Sequence, residues 1–269
     1  MNVRTKILIS AICLAFIANS CGGGGSKTIR NDTLHPFLFG GIYMVNGYGG
    51  SDVFFELFAE GLDSRPGSQS FLSDLEEGYE MLFIYPYKND RSGARRELSN
   101  SWDINSKEDF LEMAEFLLTE GHQKAYEFCR KVLDEYGGEQ ADLSQIDLTK
   151  YASEYEGRLG RRQNIQFVKD NYAKFSPSGI KAWDIARYVN NVNMAQSAGY
   201  VTDDEGYQLL AKARTEAQKL YQDWDEYWSD FNLGRYFWGG DDDPSFTKIA
   251  NALTDKNNSY NIYNYMPLK

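Results

Sequence analysis

Three consecutive helical patterns between residues 180 and 240 constrain the fold of this chain more than any other feature. They hold four of the five tryptophans. The first, residues 182–196, is apolar on nearly every side, which is typical of a helix buried in a bundle. The second and third begin with capping patterns, Thr202–Glu205 and Asp223–Glu226. This stretch therefore predicts a helical bundle around one buried helix.

The first helical pattern leaves one narrow polar strip. Asp184, Arg187 and Asn191 stand three and four residues apart, so that neighbouring side chains can touch. Buried charges need partners, and we expect Asp184 and Arg187 to form an ion pair. Arg235 falls in the aromatic row of the third pattern. It is expected to stack on tryptophan or to reach Asp184.

The first twenty residues are predicted to be a signal peptide. Arg4 and Lys6 precede an apolar run over residues 7–18, which is too short to span a membrane comfortably. The following Cys21 resembles the lipidated cysteine of bacterial lipoproteins; the alternative is an ordinary signal peptide that ends near a cysteine. Residues 21–35 are glycine-rich at first and predict a flexible tether. The resemblance implies anchoring in a Gram-negative envelope, at the outer membrane, with the face left open.

Charge and motif content exclude several functions. The formal net charge is −11, which repels phosphate backbones, so no nucleic-acid partner is expected. Only two histidines occur, His35 and His122, and they form no metal-binding pair, so neither a metal nor a cofactor is expected. Cys129 lies at helical spacing and is predicted to be a buried structural cysteine.

The remaining chain predicts a mainly α, irregular helical bundle that forms a single domain. An aromatic and glycine-rich segment, residues 36–97, is expected to pack on a helical domain over residues 98–269. A short extended or β element is considered near residues 79–87, where an apolar run contains a proline. A capped helix after Ser106 and a weakly patterned helix over residues 150–174 are also predicted.

Several spaced motifs resemble the bacterial family called domain of unknown function 1266. They are Ser101-Trp102-Asp103-Ile104, Gly121-His122, Ala182-Trp183-Asp184-Ile185-Ala186-Arg187, Ala198-Gly199-Tyr200, Trp224, Leu233-Gly234-Arg235 and Phe237-Trp238. The resemblance covers residues 98–265. The family usually has glycine where Asp103 stands, so this turn is expected to differ. The resemblance implies a mostly helical domain and no established activity.

One group of polar and aromatic residues stands out as a candidate site. It consists of His122, Asp184, Arg187 and Arg235 with Trp183 and Trp238. One interpretation is a buried polar network that fixes helix packing. The other is a pocket in which the two arginines hold an anionic ligand and His122 acts as acid or base. A network pairs both arginines with protein carboxylates and leaves no cavity, whereas a site leaves at least one arginine or His122 facing an open cleft.

The function predicted from these features is a membrane-anchored lipoprotein of unknown biochemical activity. It is expected to be a binding or interaction module in the cell envelope, with an unknown protein or a small anion as its partner. The absence of a catalytic signature such as GxSxG favours a protein that is not an enzyme. The alternative is a hydrolase-like enzyme acting on an envelope polymer or a small anionic ligand. No catalytic residue is assigned.

Overall fold

Helices carry the fold in the residues that the computed structural model describes, which are 28–84, 90–154, 160–240 and 244–269. In chain order they are α1 (His35–Leu38), α2 (Gly41–Gly47), α3 (Ser51–Gly61), α4 (Phe71–Phe83), α5 (Arg91–Trp102), α6 (Lys107–Thr119), α7 (Gln123–Glu135), α8 (Arg162–Asp170), α9 (Lys181–Ala198), α10 (Asp203–Leu220), α11 (Trp224–Trp238) and α12 (Ser245–Leu253). Short 3-10 helices lie at Gly138–Gln140, Leu143–Gln145, Leu148–Tyr151 and Ile262–Asn264. The described residues contain no strand, and the predicted mainly α, single-domain fold is confirmed.

Helix α9 lies at the centre, packed against α5, α6, α10 and α11. It is buried on nearly every side, as its all-round apolar pattern predicted. The caps of its two successors are also confirmed. Thr202 and Glu205 form a capping box at the start of α10, and Asp223 accepts a hydrogen bond from the backbone N–H of Glu226 in α11. Residues 180–240 are thus three consecutive helices arranged around α9.

Helices α9 and α11 approach each other closely because α11 has a glycine at the contact. A Cβ at Gly234 would stand 2.5 Å from the Cβ of Trp183, a separation that real side chains do not adopt. The missing side chain lets Trp183 lie against the backbone of α11. This contact brings the first half of α9 and the last turns of α11 together, where the candidate site residues lie.

The N-terminal helices and the C-terminal tail share the core around α9. Residues of α1–α4 belong to the same buried cluster as those of α9, α10 and α11. The tail is polar in sequence, yet Ile262, Met266 and Leu268 are buried and several of its polar groups form hydrogen bonds. The Tyr263 hydroxyl donates a hydrogen bond to the carbonyl of Leu38 at 2.7 Å, and the Trp224 indole donates one to the carbonyl of Met266 at 2.8 Å. The tail therefore joins α1 to α11.

Two sequence predictions for local structure are wrong. Residues 79–83 are not extended, because they form the last turns of α4, where Tyr79 and Phe83 continue a buried stripe at a spacing of four residues. Residues 85–87 of the proposed β element lie outside the described residues. The helix predicted over residues 150–174 is present only in part among the described residues, as α8, and residues 155–159 lie outside them. Among the described helices, none combines the length and apolar character that crossing a membrane requires.

Helices α7 and α8 form a second buried cluster with the start of α9 and the end of α11. Cys129 lies in this cluster and is fully buried. Burial raises the pKa of its thiol to about 12, because the apolar surroundings disfavour the thiolate. The prediction of a buried structural cysteine is therefore confirmed.

The turn at Asp103 keeps the geometry that favours glycine. Asp103 ends α5 with a φ of 56°, in the left-handed region, and its N–H bonds the carbonyls of Leu98 and Ser99. We expect Asp103→Gly to raise the free energy of unfolding by about 0.5–1 kcal/mol, because glycine adopts this conformation without steric strain. Urea denaturation measures the change. Asp103→Ala is the matched control and should be less stable than Gly; equal stability of the two variants would contradict the explanation.

Candidate functional site

Most of the predicted site residues meet where the α6–α7 corner packs on the N-terminal half of α9. His122 precedes α7, Trp183, Asp184 and Arg187 lie on α9, and Trp238 ends α11. Trp102, the last residue of α5, joins them. The structure therefore brings together five of the six predicted residues and adds one tryptophan. Arg235 is the residue that takes other partners.

Asp184 caps helix α7 from a distant part of the chain. Its Oδ2 accepts hydrogen bonds from the backbone N–H groups of His122 (2.8 Å) and Gln123 (3.1 Å). Its Oδ1 lies 2.9 Å from Nδ1 of His122. The carboxylate is fully buried, and α7 has no cap from its own side chains. A negative charge at this position also complements the positive end of the α7 dipole.

Gly121 makes room for this carboxylate. Its φ of 59° is left-handed, and a Cβ there would stand only 2.1 Å from Oδ2 of Asp184. The chain can therefore wrap around the carboxylate only with glycine at this position. Gln123 forms a corresponding hydrogen bond at the start of α9, where its side-chain oxygen accepts from the N–H of Ile180 (2.8 Å). The starts of α7 and α9 thus cap each other.

The contact with Asp184 assigns the proton on His122. A carboxylate only accepts hydrogen bonds, so Nδ1 carries the hydrogen that points at Oδ1. Nη1 of Arg187 lies 3.1 Å from the same Nδ1 and 3.5 Å from Nε2. A protonated Nδ1 has no lone pair to offer the guanidinium. Arg187 therefore touches the imidazole without gaining a strong acceptor from Nδ1.

Arg187 lies among three tryptophans. Its guanidinium carbon is 4.4 Å from the ring centroid of Trp102, 4.8 Å from that of Trp183 and 5.6 Å from that of Trp238. These are cation–π distances. Together with His122, these rings and the guanidinium form what we call the Arg187 cage. The cage surrounds the cation with aromatic rings, and among the described residues its N–H groups have hydrogen-bond contacts with His122 alone.

The predicted ion pair between Asp184 and Arg187 is wrong. No carboxylate oxygen in the described residues lies within 4.0 Å of Arg187, because both oxygens of Asp184 are turned toward α7. Burial lowers the pKa of the guanidinium, and Tyr43 and Asp184 oppose that shift from a longer range. Arginine nonetheless stays charged in proteins. The structure thus holds a half-buried cation without a salt-bridge partner among the described residues.

Arg235 does not reach Asp184 and does not stack on tryptophan. Its guanidinium donates to the carbonyl of Gly240 and lies over the ring of Phe246, 4.8 Å from the centroid. Its charge nonetheless affects the pKa of Tyr43. Burial raises the pKa of that phenol, and Arg187 and Arg235 act in the opposite direction. Sequence reasoning missed Tyr43, because nothing in its glycine-rich surroundings indicates a site.

Two buried polar groups near the Arg187 cage lack partners. Both amide atoms of Asn191, one turn beyond Arg187 on α9, are buried without a hydrogen bond, and so is Nε1 of Trp183. Such groups are usually paired, by protein or by water. A separate groove of about 820 Å³ runs between α7 and the turn at residues 175–177 and does not include Arg187. The unpaired polar groups of Asn191 and Trp183 therefore lie at the cage and away from this groove.

Asp230 is a second polar feature that the sequence analysis missed. It lies buried on α11 and accepts hydrogen bonds from the hydroxyl and the backbone N–H of Ser176. Burial raises the pKa of its carboxyl to about 7, against the opposing effect of the Ser176 bonds. Nothing in its local sequence distinguishes it from an exposed aspartate. The predicted lipidation site, Cys21, lies outside the described residues.

The motifs between residues 101 and 238 lie within one family match. A family model described as protein of unknown function (DUF1266) matches residues 97–268. Uncharacterized protein YbeU of Escherichia coli K12 is 26% identical over an alignment of 168 residues, which covers 59% of this chain and 63% of YbeU. Uncharacterized protein YbeR of the same strain is 22% identical over 160 residues, 60% of this chain and 64% of YbeR. The match thus spans less than two thirds of either relative, and no solved structure matches significantly.

Proposed function

The chain belongs to the DUF1266 family of proteins of unknown function, and from that premise we propose that it is a binding module whose Arg187 cage takes an anionic group. The ligand contributes a carboxylate or a similar planar anion. Arg187 binds it through two parallel N–H···O contacts, the geometry in which guanidinium recognises such groups. The tryptophans hold the guanidinium in place before the ligand arrives.

The observation that carries this proposal is that Asp184 forms hydrogen bonds with the start of α7 and leaves Arg187 without an ion pair among the described residues. Both oxygens of Asp184 accept hydrogen bonds from the start of α7 and from His122, so this carboxylate acts on Arg187 through space and forms no direct ion pair with it. A partly desolvated cation without a direct ion pair is unfavourable in a folded protein. An incoming anion would remove that penalty. This argument supports a ligand site more than a closed polar network.

A hydrolase-like activity is the second candidate, favoured by the hydrogen bond between His122 and Asp184. With its Nδ1 proton held by a buried carboxylate, an imidazole presents Nε2 as a base. Nη1 of Arg187 lies 3.5 Å from this Nε2, so a substrate would have to displace or bridge that contact. Release of nitrophenol from nitrophenyl acetate, lost in His122→Gln, would favour this candidate over simple binding.

We propose that the module is held at the envelope of a Gram-negative bacterium through a lipid on Cys21. The support is the signal-like segment before Cys21 and the glycine-rich stretch after it. The outer membrane is the proposed site, because glycine and not aspartate follows the cysteine. Mass spectrometry of the N-terminal peptide tests this. An unmodified Cys21, or a mature chain that begins elsewhere, would overturn it.

The anion site predicts a ligand response that depends on Arg187. We expect sodium acetate, titrated at constant ionic strength, to shift indole N–H resonances of the cage tryptophans in a saturable way. Arg187→Met should weaken this response at least about tenfold, since a hydrogen-bonded charge pair contributes about 1.5–3 kcal/mol. Arg214→Met is the matched control, because Arg214 is paired with Asp32 at 2.7 Å outside the cage. An unchanged response in Arg187→Met would refute the proposal.

A further inference from the structure

Exposed aromatic side chains stand at the edge of the Arg187 cage. Six large hydrophobic side chains are partly exposed in the described residues; one of them, Trp238 at 37%, belongs to this cage, and another, Phe116 at 39%, adjoins it. Phe116 packs edge-on against the His122 ring, with centroids 6.0 Å apart. Trp238 lies 6.0 Å from Trp183. These exposed rings are therefore continuous with the rings that hold the guanidinium.

The rim of the cage comes from four separate parts of the fold. Trp102 belongs to the end of α5, Phe116 to α6, His122 to the turn before α7, and Trp238 to the end of α11. Trp102 is half-buried, so part of its ring also meets solvent. A small inorganic anion would contact the central cation but leave these ring surfaces in water. Exposed apolar surface next to a polar centre is typical of a binding site.

The charge of the whole protein adds a second condition on the ligand. With a net charge of −11, the protein repels anions on average. Attraction to one cation must work against this repulsion, so a carboxylate alone should bind weakly. Apolar contact does not depend on charge and adds affinity in the same place. An anion that also carries a ring satisfies both conditions.

We propose that the ligand of the Arg187 cage is an aromatic carboxylate, whose ring packs against Phe116 and Trp238 while its carboxylate pairs with Arg187. The inference rests on the proposed anion site and specifies its ligand class. Aromatic rings favour offset or edge-on contact with other rings, which the partly exposed Phe116 and Trp238 offer. The cation selects against neutral rings, and the rim selects against small anions.

Three probes separate the contributions of the carboxylate and of the ring to binding: acetate has only the carboxylate, benzyl alcohol has only the ring, and benzoate has both. The indole N–H resonances report binding of each to the full chain. We expect benzoate to bind at least tenfold more tightly than acetate, and benzyl alcohol to show no saturable response. Phe116→Ser should remove most of the benzoate advantage and leave the acetate response unchanged. Leu111→Ser, which alters an exposed side chain of the same helix, is the matched control and should change neither.

The outcomes distinguish failure of this inference from failure of the proposed function. Equal affinities for acetate and benzoate, both lost in Arg187→Met, overturn the aromatic ligand and keep the anion site. No saturable response to either anion overturns both. Benzyl alcohol binding as tightly as benzoate shows a ring site without use of the cation and also overturns the inference. If Phe116→Ser proves unfolded by circular dichroism, Trp238→Leu replaces it, with the same expected loss of the benzoate advantage.

Discussion

Asp184→Ala is expected to lower the free energy of unfolding by about 3–5 kcal/mol, because hydrogen bonds to a buried charge contribute about 1.5–3 kcal/mol each and do not add fully. The substitution leaves three donors without an acceptor, namely two backbone N–H groups at the start of α7 and the Nδ1–H of His122. It also removes the negative charge that complements the α7 dipole. Urea denaturation at pH 7 measures the loss.

Two further variants show whether the cap is the cause. Asp184→Asn keeps the shape and one acceptor oxygen, so it should fall between wild type and Asp184→Ala. Asp63→Ala removes an aspartate that is exposed and should change stability by no more than about 0.5 kcal/mol. A loss below about 1 kcal/mol in Asp184→Ala would show that the buried contacts do not support the α6–α7 corner.

Asp230→Asn is expected to become progressively more stable than wild type as the pH rises. The folded-state pKa of Asp230 is about 7, raised by burial from an ordinary value of 3.8. A raised pKa stabilises the fold fully below the unfolded value, and this contribution is lost as the pH rises through the folded value. Between pH 4 and pH 8, wild type should therefore lose up to about 4 kcal/mol that the asparagine variant does not lose.

The comparison is made by urea denaturation of both proteins at several pH values. Asparagine keeps an oxygen that can accept from Ser176, so the two proteins should be similar near pH 4. Asp225→Asn is the control on the same helix, because its side chain is 57% exposed and pairs with Lys256 at the surface. A stability difference between Asp230→Asn and wild type that stays constant with pH would contradict the burial of this carboxyl.

The sequence predicted the features that depend on local patterns. The all-round apolar character of residues 182–196 identified the central helix α9, and side chains within four residues identified the caps at Thr202 and Asp223. The spacing of tryptophans and arginines also indicated which elements carry the site. These signals are encoded within one or two turns of helix, where geometry is fixed by the backbone.

The partner of Asp184 was not predictable in the same way. Helical spacing places Arg187 beside it, but the partners that it takes in the fold lie 61 and 62 residues earlier in the chain. The N–H groups at the start of α7 need an acceptor, and in the fold Asp184 supplies it instead of pairing with Arg187. Only the tertiary fold brings that helix start to Asp184.

Other errors came from the weight given to composition. The run at residues 81–87 is apolar, which favours an extended segment, but its described part ends α4, where Leu75, Tyr79 and Phe83 repeat every four residues. The C-terminal tail shows the same effect, because it is polar on average while its few apolar residues are buried against α1 and α11. In both places a short pattern decided the structure and average polarity did not.

The central claim is that Asp184 supports the fold while Arg187 is kept for a ligand, and Arg187→Met tests it most directly. Methionine retains an apolar side chain for the tryptophan rings and removes the charge. Without ligand, the free energy of unfolding of the variant should lie within about 1 kcal/mol of the wild-type value, since volume-conserving replacements are tolerated. With saturating benzoate, wild type alone should gain stability. A loss of about 3 kcal/mol or more without ligand, and no effect of benzoate on wild type, would show that Arg187 belongs to a closed structural network.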